Sequence, residues 1–242
     1  MRLVLADMRF RGDDPAPGAQ VPPFDLVQTD GSRLRAADLA SVGPVLLVFG
    51  SSTCPVTDNA APGLKELHRR FGSRVRIVLV NVREAHPGAA CPQPLSMEEK
   101  ICHAQTLREL HGLSFSVAVD DIDGTLHRAL SPKPNSAYLL GTDGTILFRA
   151  HWANDTAALT RALEAVAAGA VPAPRQSGGL MPMVRMIPNI APVLDRAGAG
   201  AWADMWRVAP PLAALARILK AVGIGPGLAR VAPAPASGEG HA

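Results

Sequence analysis

The sequence predicts an α/β fold, in which a mixed β-sheet is covered by helices on both faces and is followed by a helical extension. Two segments, 45–49 and 75–82, are apolar at most positions, which is typical of central strands buried on both sides. Between them, apolar residues of the segment 55–71 recur at helical spacing, and Gly72 follows as a stop signal. A helix between two such strands is the usual crossover of a parallel pair, so helices should cover both faces.

Turn residues mark the elements on either side of these central strands. Prolines interrupt residues 1–22, so we expect irregular structure there. An Asp-Gly pair at 30–31 separates two short β-type segments and favours a hairpin turn. After the second central strand, Ser96 predicts a capped helix start and Gly112 the end of that helix. The last predicted elements are a strand at 115–119, a short helix at 123–130, a hairpin that turns at Asp143-Gly144, and a helix from Asp155 to about Ala168.

A stretch rich in Pro, Ser and Gly at 172–179 predicts a linker. We expect residues 1–172 to form one domain and residues 173–242 a C-terminal extension, of which the last ten residues are disordered. The extension carries seven Lys and Arg residues against three acids, whereas the net charge of the whole chain is +3. Aromatic residues make up only 4% of the chain, which is few for stacking on nucleotide bases. The excess of positive charge in the extension is also too small for a nucleic-acid surface, so we expect no nucleic-acid partner.

The apolar residues of the extension allow two interpretations. They pack over the first domain or over a second subunit in a homodimer, or they form a basic amphipathic segment that contacts a membrane surface or a partner. We favour packing, because so much exposed apolar surface would promote aggregation. The large side chains concerned are Met181, Met183, Met186, Trp202, Met205 and Trp206. The predicted last helix has one apolar face, formed by Leu212, Leu215, Leu219 and Val222.

The three cysteines, Cys54, Cys91 and Cys102, are a small and odd number that indicates no disulfide framework. The first residues lack the basic and apolar segments of a signal peptide, and no uncharged apolar stretch is long enough to span a membrane. We therefore expect a cytoplasmic protein. Thiols stay reduced there, so a reactive cysteine would serve catalysis rather than structure.

Cys54 is the residue most strongly marked for chemistry. It lies between the first central strand and a helix that begins at Pro55, where free backbone N–H groups and the helix dipole favour a thiolate. Proline suits the first helical position, because its missing N–H costs no hydrogen bond there. Ser51 and Thr53 place hydroxyl groups beside the sulfur. We interpret Cys54 as a nucleophile rather than as an inert buried cysteine.

The motif that begins at Cys54 is Cys-Pro-Val-Thr, with Thr57 in the place of a second cysteine. A disulfide within the motif is therefore impossible, which argues against a general dithiol reductase. Peroxiredoxins carry a proline seven residues before the reactive cysteine and a threonine or serine three residues before it. Ser51 matches the second position and Leu47 does not match the first, so this likeness is partial.

Three motifs around Cys54 together carry a family resemblance. Residues 49–55 read Phe-Gly-Ser-Ser-Thr-Cys-Pro, and residues 84–87, just after the second central strand, read Glu-Ala-His-Pro. Residues 92–99 match a third motif in spacing. These segments resemble the iodothyronine deiodinases, redoxins in which the animal enzymes carry selenocysteine at the position of Cys54. The resemblance covers about residues 20–168.

This resemblance implies a thioredoxin-like fold and the reductive removal of iodine from an aromatic ring, with Cys54 as the nucleophile. The residues that it implies for lining the site and handling protons are Ser51, Thr53, Glu84 and His86. The resemblance also implies that His86 contacts substrate, and our candidate substrate-binding residues are Thr57, Pro134 and Trp152. Pro134 is placed like the cis-proline that faces the reactive cysteine in this fold. Two positions depart from the family: Pro94-Leu95 replaces a His-Arg pair, and Trp152 stands where the family has a substrate-binding arginine.

The loop that carries His86 follows the second central strand and should emerge at the same sheet edge as Cys54. Together with Glu84, His86 is a candidate general acid or base. The alternative is an ordinary solvated loop histidine.

The other two cysteines differ in their setting. Cys91 lies in a Pro-rich loop and is the candidate to resolve an oxidised Cys54, because a loop can move to meet disulfide geometry. We interpret Cys102 as a buried residue of a helix core. The spacing of Cys91, Cys102 and His103 matches no common metal-ligand pattern, so we predict no metal site.

These observations predict a thiol oxidoreductase that needs no cofactor. Its Cys54 thiolate would attack a peroxide oxygen or a ring-bound halogen of a small-molecule substrate, and Cys91 or an external thiol would restore it. The alternative is a redox-inactive docking module whose extension binds a partner or a membrane surface.

Overall fold

The computed structural model describes residues 10–131, 133, 135–173 and 181–226, and within them seven strands form one mixed sheet. The strands are β1 (Asp25–Gln28), β2 (Arg33–Arg35), β3 (Val45–Gly50), β4 (Arg76–Asn81), β5 (Ser116–Val119), β6 (Ala137–Leu140) and β7 (Ile146–Ala150). Their order is β2-β1-β5-β4-β3-β6-β7. Strands β3, β4 and β5 run parallel to one another, and the remaining neighbours pair antiparallel. The predicted mixed sheet is confirmed.

Helices cover both faces of this sheet. A 3₁₀ turn at Ala36–Asp38 precedes α1 (Leu39–Val42), α2 (Pro55–Phe71), α3 (Met97–His111), α4 (Thr125–Leu130), α5 (Thr156–Ala167), α6 (Met181–Ala197), α7 (Ala201–Val208) and α8 (Pro210–Ala221). Helices α2, α3 and α5 share an apolar cluster with one face of the sheet, and α1 and α4 share a second cluster with the other face. The crossover helices therefore lie as the sequence predicts.

Strand β3 shows why a central segment is apolar throughout. Leu46 and Val48 belong to the cluster with α2, whereas Leu47 and Phe49 belong to the cluster with α4. Because successive side chains of a strand point to opposite faces, a strand buried on both sides favours apolar residues at every position. The parallel register of β3 and β4 brings the loops that follow them to one edge of the sheet.

The predicted helix caps are also present. The Ser96 hydroxyl accepts a hydrogen bond from the Glu99 N–H at 3.2 Å, and the Asp155 carboxylate accepts one from the Ala158 N–H at 3.3 Å. Gly112 ends α3 in the left-handed conformation, with φ of 56°, which a residue without a side chain adopts at little cost.

The C-terminal helices α6 to α8 pack against the sheet domain. Their buried side chains, among them Met186, Ile190 and Met205, form a third apolar cluster together with Cys54 and Trp152. Helix α6 lies against α2, the helix that begins beside Cys54. The extension thus covers the end of the sheet from which the predicted site residues emerge.

The predicted apolar face of the last helix is partly wrong. Ala213 and Ala216 are its buried residues, whereas Leu215 is exposed and Val222, just beyond the helix, is 62% exposed. The other two leucines of the predicted face are half-buried against the third cluster. Alanines bring a helix closer to its neighbours than leucines do, and α8 packs through them.

No helix among the described residues is both long enough and apolar enough to cross a membrane. The predicted linker at 172–179 is described only as far as residue 173, and the predicted disorder of residues 233–242 lies outside the described residues.

Candidate active site

Cys54 occupies the position predicted for it, at the start of a helix. It is the N-cap residue of α2, and Pro55 fills the first helical position. The Cys54 N–H donates to the Ser51 carbonyl at 3.3 Å, and its own carbonyl accepts from the Asp58 N–H at 3.1 Å. The side chain is only 4% exposed and lies within the third apolar cluster. The sulfur therefore has the expected helix end, but the extension shields it from solvent.

Two of the predicted residues brace the turn before Cys54. The Thr57 hydroxyl accepts a hydrogen bond from the Ser51 N–H at 3.2 Å, and the Ser51 hydroxyl accepts one from the Ala85 N–H at 3.2 Å. A side chain at Gly50 would place its Cβ 2.5 Å from the Thr57 oxygen, so only glycine fits there. Ser51 and Thr57 thus hold the loops after β3 and β4 against each other.

Glu84 is the centre of a buried hydrogen-bond network. One oxygen of its carboxylate accepts from the Thr53 N–H at 2.9 Å and from the Thr53 hydroxyl at 2.8 Å. The Thr53 hydroxyl in turn accepts from the His86 N–H at 3.1 Å. Gln93 bonds the Glu84 backbone twice, at 3.1 Å and 2.6 Å. The structure therefore brings together Thr53, Glu84 and His86, as the sequence predicts.

The imidazole of His86 contacts the extension. Its Nδ1 lies 2.9 Å from a carboxylate oxygen of Asp204 in α7. This hydrogen bond is the largest cause that holds the pKa of Asp204 below its ordinary value, and Arg207 adds to it. A solvated loop histidine is therefore the wrong alternative, because the ring is partly buried and paired across the two parts of the chain.

Cys91 lies on the other side of Glu84 from Thr53. Its sulfur is 3.8 Å from His103 Nδ1, and that nitrogen is 3.3 Å from the second carboxylate oxygen of Glu84. Burial and the Glu84 carboxylate raise the pKa of the Cys91 thiol to about 12. The interpretation of Cys102 as a helix-core residue is wrong, because this cysteine is exposed. The buried face of α3 is formed by Lys100, Ala104 and Leu107 instead.

Lys133 is a candidate site residue that the sequence analysis missed. Its side chain is 1% exposed, with Nζ 3.2 Å from the Asn135 amide oxygen and 3.6 Å from the centre of the Trp152 ring. Burial lowers the pKa of Lys133 to about 7, while the nearby Cys54 acts in the opposite direction. A buried amino group with a pKa of about 7 therefore lies near Cys54. The one signal in the sequence is an isolated lysine between two prolines just before β6.

Residues 17–149 match the model of the AhpC/TSA family. The chain belongs to the AhpC/TSA family. No curated protein matches the sequence. Redoxins of this family are thiol oxidoreductases or peroxidases, so this member has a thiol-dependent redox function.

Solved structures resemble this AhpC/TSA family member in fold. An uncharacterized conserved protein from Geobacillus kaustophilus is 20% identical with a TM-score of 0.54, and the match covers 68% of this chain and 89% of that one. A hypothetical protein from Sinorhizobium meliloti is 16% identical with a TM-score of 0.52, covering 68% and 91%. Peroxidoxin BcpB from Mycobacterium tuberculosis is 19% identical with a TM-score of 0.48, covering 64% and 97%. The predicted thioredoxin-like fold is confirmed.

The finer resemblance to iodothyronine deiodinases stays a prediction, because the family match does not single out that group. Trp152, one of the candidate substrate-binding residues, lies in the cluster with Cys54 and under the Lys133 ammonium group. Pro134 lies outside the described residues, and so does the expected cis peptide bond there.

The Thr53 hydroxyl links Glu84 to the His86 backbone, so replacing Thr53 by valine removes that link while keeping the shape of the side chain. We expect the free energy of unfolding to fall by about 1–3 kcal/mol, because a buried carboxylate oxygen and a backbone N–H each lose a partner. Urea unfolding of wild type and Thr53→Val measures this. Thr53→Ser keeps the hydroxyl and is the matched control; an equal loss in both variants would contradict a role of the hydrogen bonds.

Proposed function

We propose that this AhpC/TSA family protein reduces a peroxide with the thiol of Cys54, and that an external thiol restores it. The observation that carries the proposal is the position of Cys54 at the N-terminus of α2, in an apolar cluster with Trp152, whose ring lies 3.6 Å from the buried ammonium group of Lys133. A helix start and a nearby cation both favour negative charge on sulfur.

The proposed reaction has two stages. The Cys54 thiolate attacks one oxygen of the peroxide, so that an S–O bond forms, the O–O bond breaks, and the other oxygen leaves as an alkoxide or hydroxide. Protonated Lys133 supplies the proton that this leaving group needs. A first external thiol then condenses with the Cys54 sulfenic acid and releases water, and a second thiol breaks the mixed disulfide. The two external thiols supply the two electrons and leave as a disulfide.

The residues around Cys54 take different parts in this proposal. Ser51 and Thr53 hold the two loops in place through the hydrogen bonds described above, and Glu84 is the buried acceptor on which those bonds converge. His86 joins the site to the extension through Asp204. We assign resolution to an external thiol rather than to Cys91, because the Cys91 sulfur is placed against His103 and Glu84.

The test is turnover of purified protein with hydrogen peroxide and with an alkyl hydroperoxide, in the presence of a dithiol reductant. We expect Cys54→Ser to lose turnover to the background rate, and mass spectrometry to find oxygen added at Cys54 in the wild type. Cys102→Ser is the matched control, because that thiol is exposed. It should keep full activity, and so should Cys91→Ser if an external thiol resolves Cys54.

Iodinated phenols in the same assay decide between peroxide reduction and dehalogenation. Iodide release that depends on Cys54, without peroxide turnover, would contradict peroxide reduction and favour the dehalogenation that the resemblance to deiodinases implies. Absence of both activities and of any Cys54 oxidation would favour the alternative function, a redox-inactive docking module.

A further inference from the structure

We propose that Glu84, Cys91 and His103 form a binding site for a divalent transition-metal ion, with zinc as the preferred metal. The site is separate from the sulfur of Cys54, and the proposal does not depend on peroxide reduction. It departs from the expectation from sequence spacing that the chain has no metal site.

The three ligands come from elements that are close only in the folded chain. Glu84 follows β4, Cys91 lies in the loop before α3, and His103 is in α3 itself. Two of them are held by local hydrogen bonds: Gln93 bonds the Glu84 backbone twice, and Gly88 and Cys91 exchange two backbone hydrogen bonds of 3.1 Å. A site held in this way loses little conformational freedom when an ion binds.

Two of the three distances between the ligand atoms are close to those around one ion. His103 Nδ1 lies 3.3 Å from the Glu84 oxygen and 3.8 Å from the Cys91 sulfur, and all three atoms lie within 4.8 Å of one another. Zinc bonds of about 2.0–2.3 Å in a tetrahedral arrangement place neighbouring ligand atoms roughly 3.3–3.7 Å apart. Without an ion, hydrogen bonds hold the three groups together, because the Cys91 thiol and the His103 ring N–H can each donate to the Glu84 carboxylate.

The chemistry of the ligands selects the class of ion. A thiolate, an imidazole and a carboxylate together suit zinc and neighbouring transition metals, whereas magnesium and calcium prefer oxygen alone. The thiolate and the carboxylate balance a charge of +2, and the Cys91 proton leaves when the ion binds.

A fourth coordination position is available beside the cluster. A cavity of about 160 Å³ is lined by both Cys91 and His103, and also by Arg196. An ion held by the three ligands would thus face a space large enough for water or a small anion. The guanidinium of Arg196, which is also paired with Asp58 at 2.8 Å, favours an anionic fourth ligand such as hydroxide.

The experiment uses the full-length protein after treatment with a chelator, titrated with Co²⁺ as a spectroscopic probe and with Zn²⁺ in competition. We expect one ion per chain, a near-ultraviolet absorption band from the cobalt–thiolate bond, and its displacement by Zn²⁺. Cys91→Ser should abolish the thiolate band, and His103→Gln should weaken binding by roughly 100-fold or more. Circular dichroism of each variant checks that it is folded.

Cys102→Ser and Cys54→Ser are the matched controls. Both should keep the band and the affinity, since neither residue belongs to the cluster. A band that persists in Cys91→Ser, a band that disappears in either control, or failure to bind micromolar Co²⁺ and Zn²⁺ would each overturn the proposal.

Discussion

Lys133→Met is expected to raise the thermal midpoint of unfolding near pH 6 and, in the same protein, to slow the reaction of Cys54 with peroxide. Lys133 is 1% exposed, and burial lowers its pKa to about 7. A buried ammonium group is costly, and a methionine of similar length removes that cost while filling the same space.

The sign of the effect depends on pH. Below about pH 7 the lysine is protonated in both states, and the folded state carries the full cost of the buried charge. From there to about pH 10.5, the ordinary value for lysine, the unfolded chain binds more protons than the folded one, so wild-type stability rises with pH. The advantage of the variant is therefore largest at low pH and disappears near pH 10.5.

The size of the effect follows from the same shift. The lowered pKa of Lys133 corresponds to a destabilisation of about 5 kcal/mol at most. The contact with Trp152 offsets part of this cost, so we expect Lys133→Met to raise the free energy of unfolding by about 2–5 kcal/mol near pH 6. For a chain of this length that is roughly 5–15 °C in the midpoint. Thermal unfolding at pH 6, 8.5 and 10 measures it, and Lys65→Met, at an exposed lysine, is the control.

The rate at which Cys54 reacts with peroxide should fall in Lys133→Met, although the stability of the fold rises. Lys133→Met removes the nearby cation that is the proposed proton donor, so we expect sulfenic acid formation to slow by roughly 100-fold. The wild-type rate should also fall as pH rises above about 7, where Lys133 loses its proton, and the variant should lack this fall. A variant that is more stable but equally fast would show that Lys133 only fills space.

Ile190→Ala is expected to expose Cys54 to alkylating reagents. Ile190 in α6 is fully buried in the cluster that contains Cys54, and its truncation leaves a cavity that costs about 2–4 kcal/mol. If the extension opens apart from the rest of the fold, the open population rises by roughly 30- to 1000-fold. The alkylation rate of Cys54, followed by mass spectrometry without denaturant, should rise by the same factor.

Two comparisons separate opening of the extension from general loss of structure. Ile218→Ala changes an exposed residue of α8 and should leave the Cys54 rate unaltered. Alkylation of the exposed Cys102 in the same sample should stay constant in every variant. A Cys54 rate that does not move in Ile190→Ala would mean that reagents reach the sulfur by a path that leaves α6 in place.

Sequence reasoning was most accurate for features that depend on neighbours along the chain. Alternate burial made β3 apolar throughout, Ser96 and Asp155 capped the helices predicted for them, and Pro55 placed Cys54 at a helix start. It was less accurate for the extension, where it placed the last helix and not α6. Helix α6 continues through Pro188 and Pro192, because burial of its apolar face outweighs the two lost hydrogen bonds.

The sequence alone was enough to identify the mixed sheet, the helix that begins at Cys54, and the loop that carries Glu84 and His86, because spacing and capping act over a few residues. The shielding of Cys54 by α6, the cation of Lys133 beside it, and the meeting of Cys91 with His103 required the folded chain. The burial and the charge around these residues come from side chains that are distant in the sequence. A local sequence pattern therefore does not predict which of them are in contact.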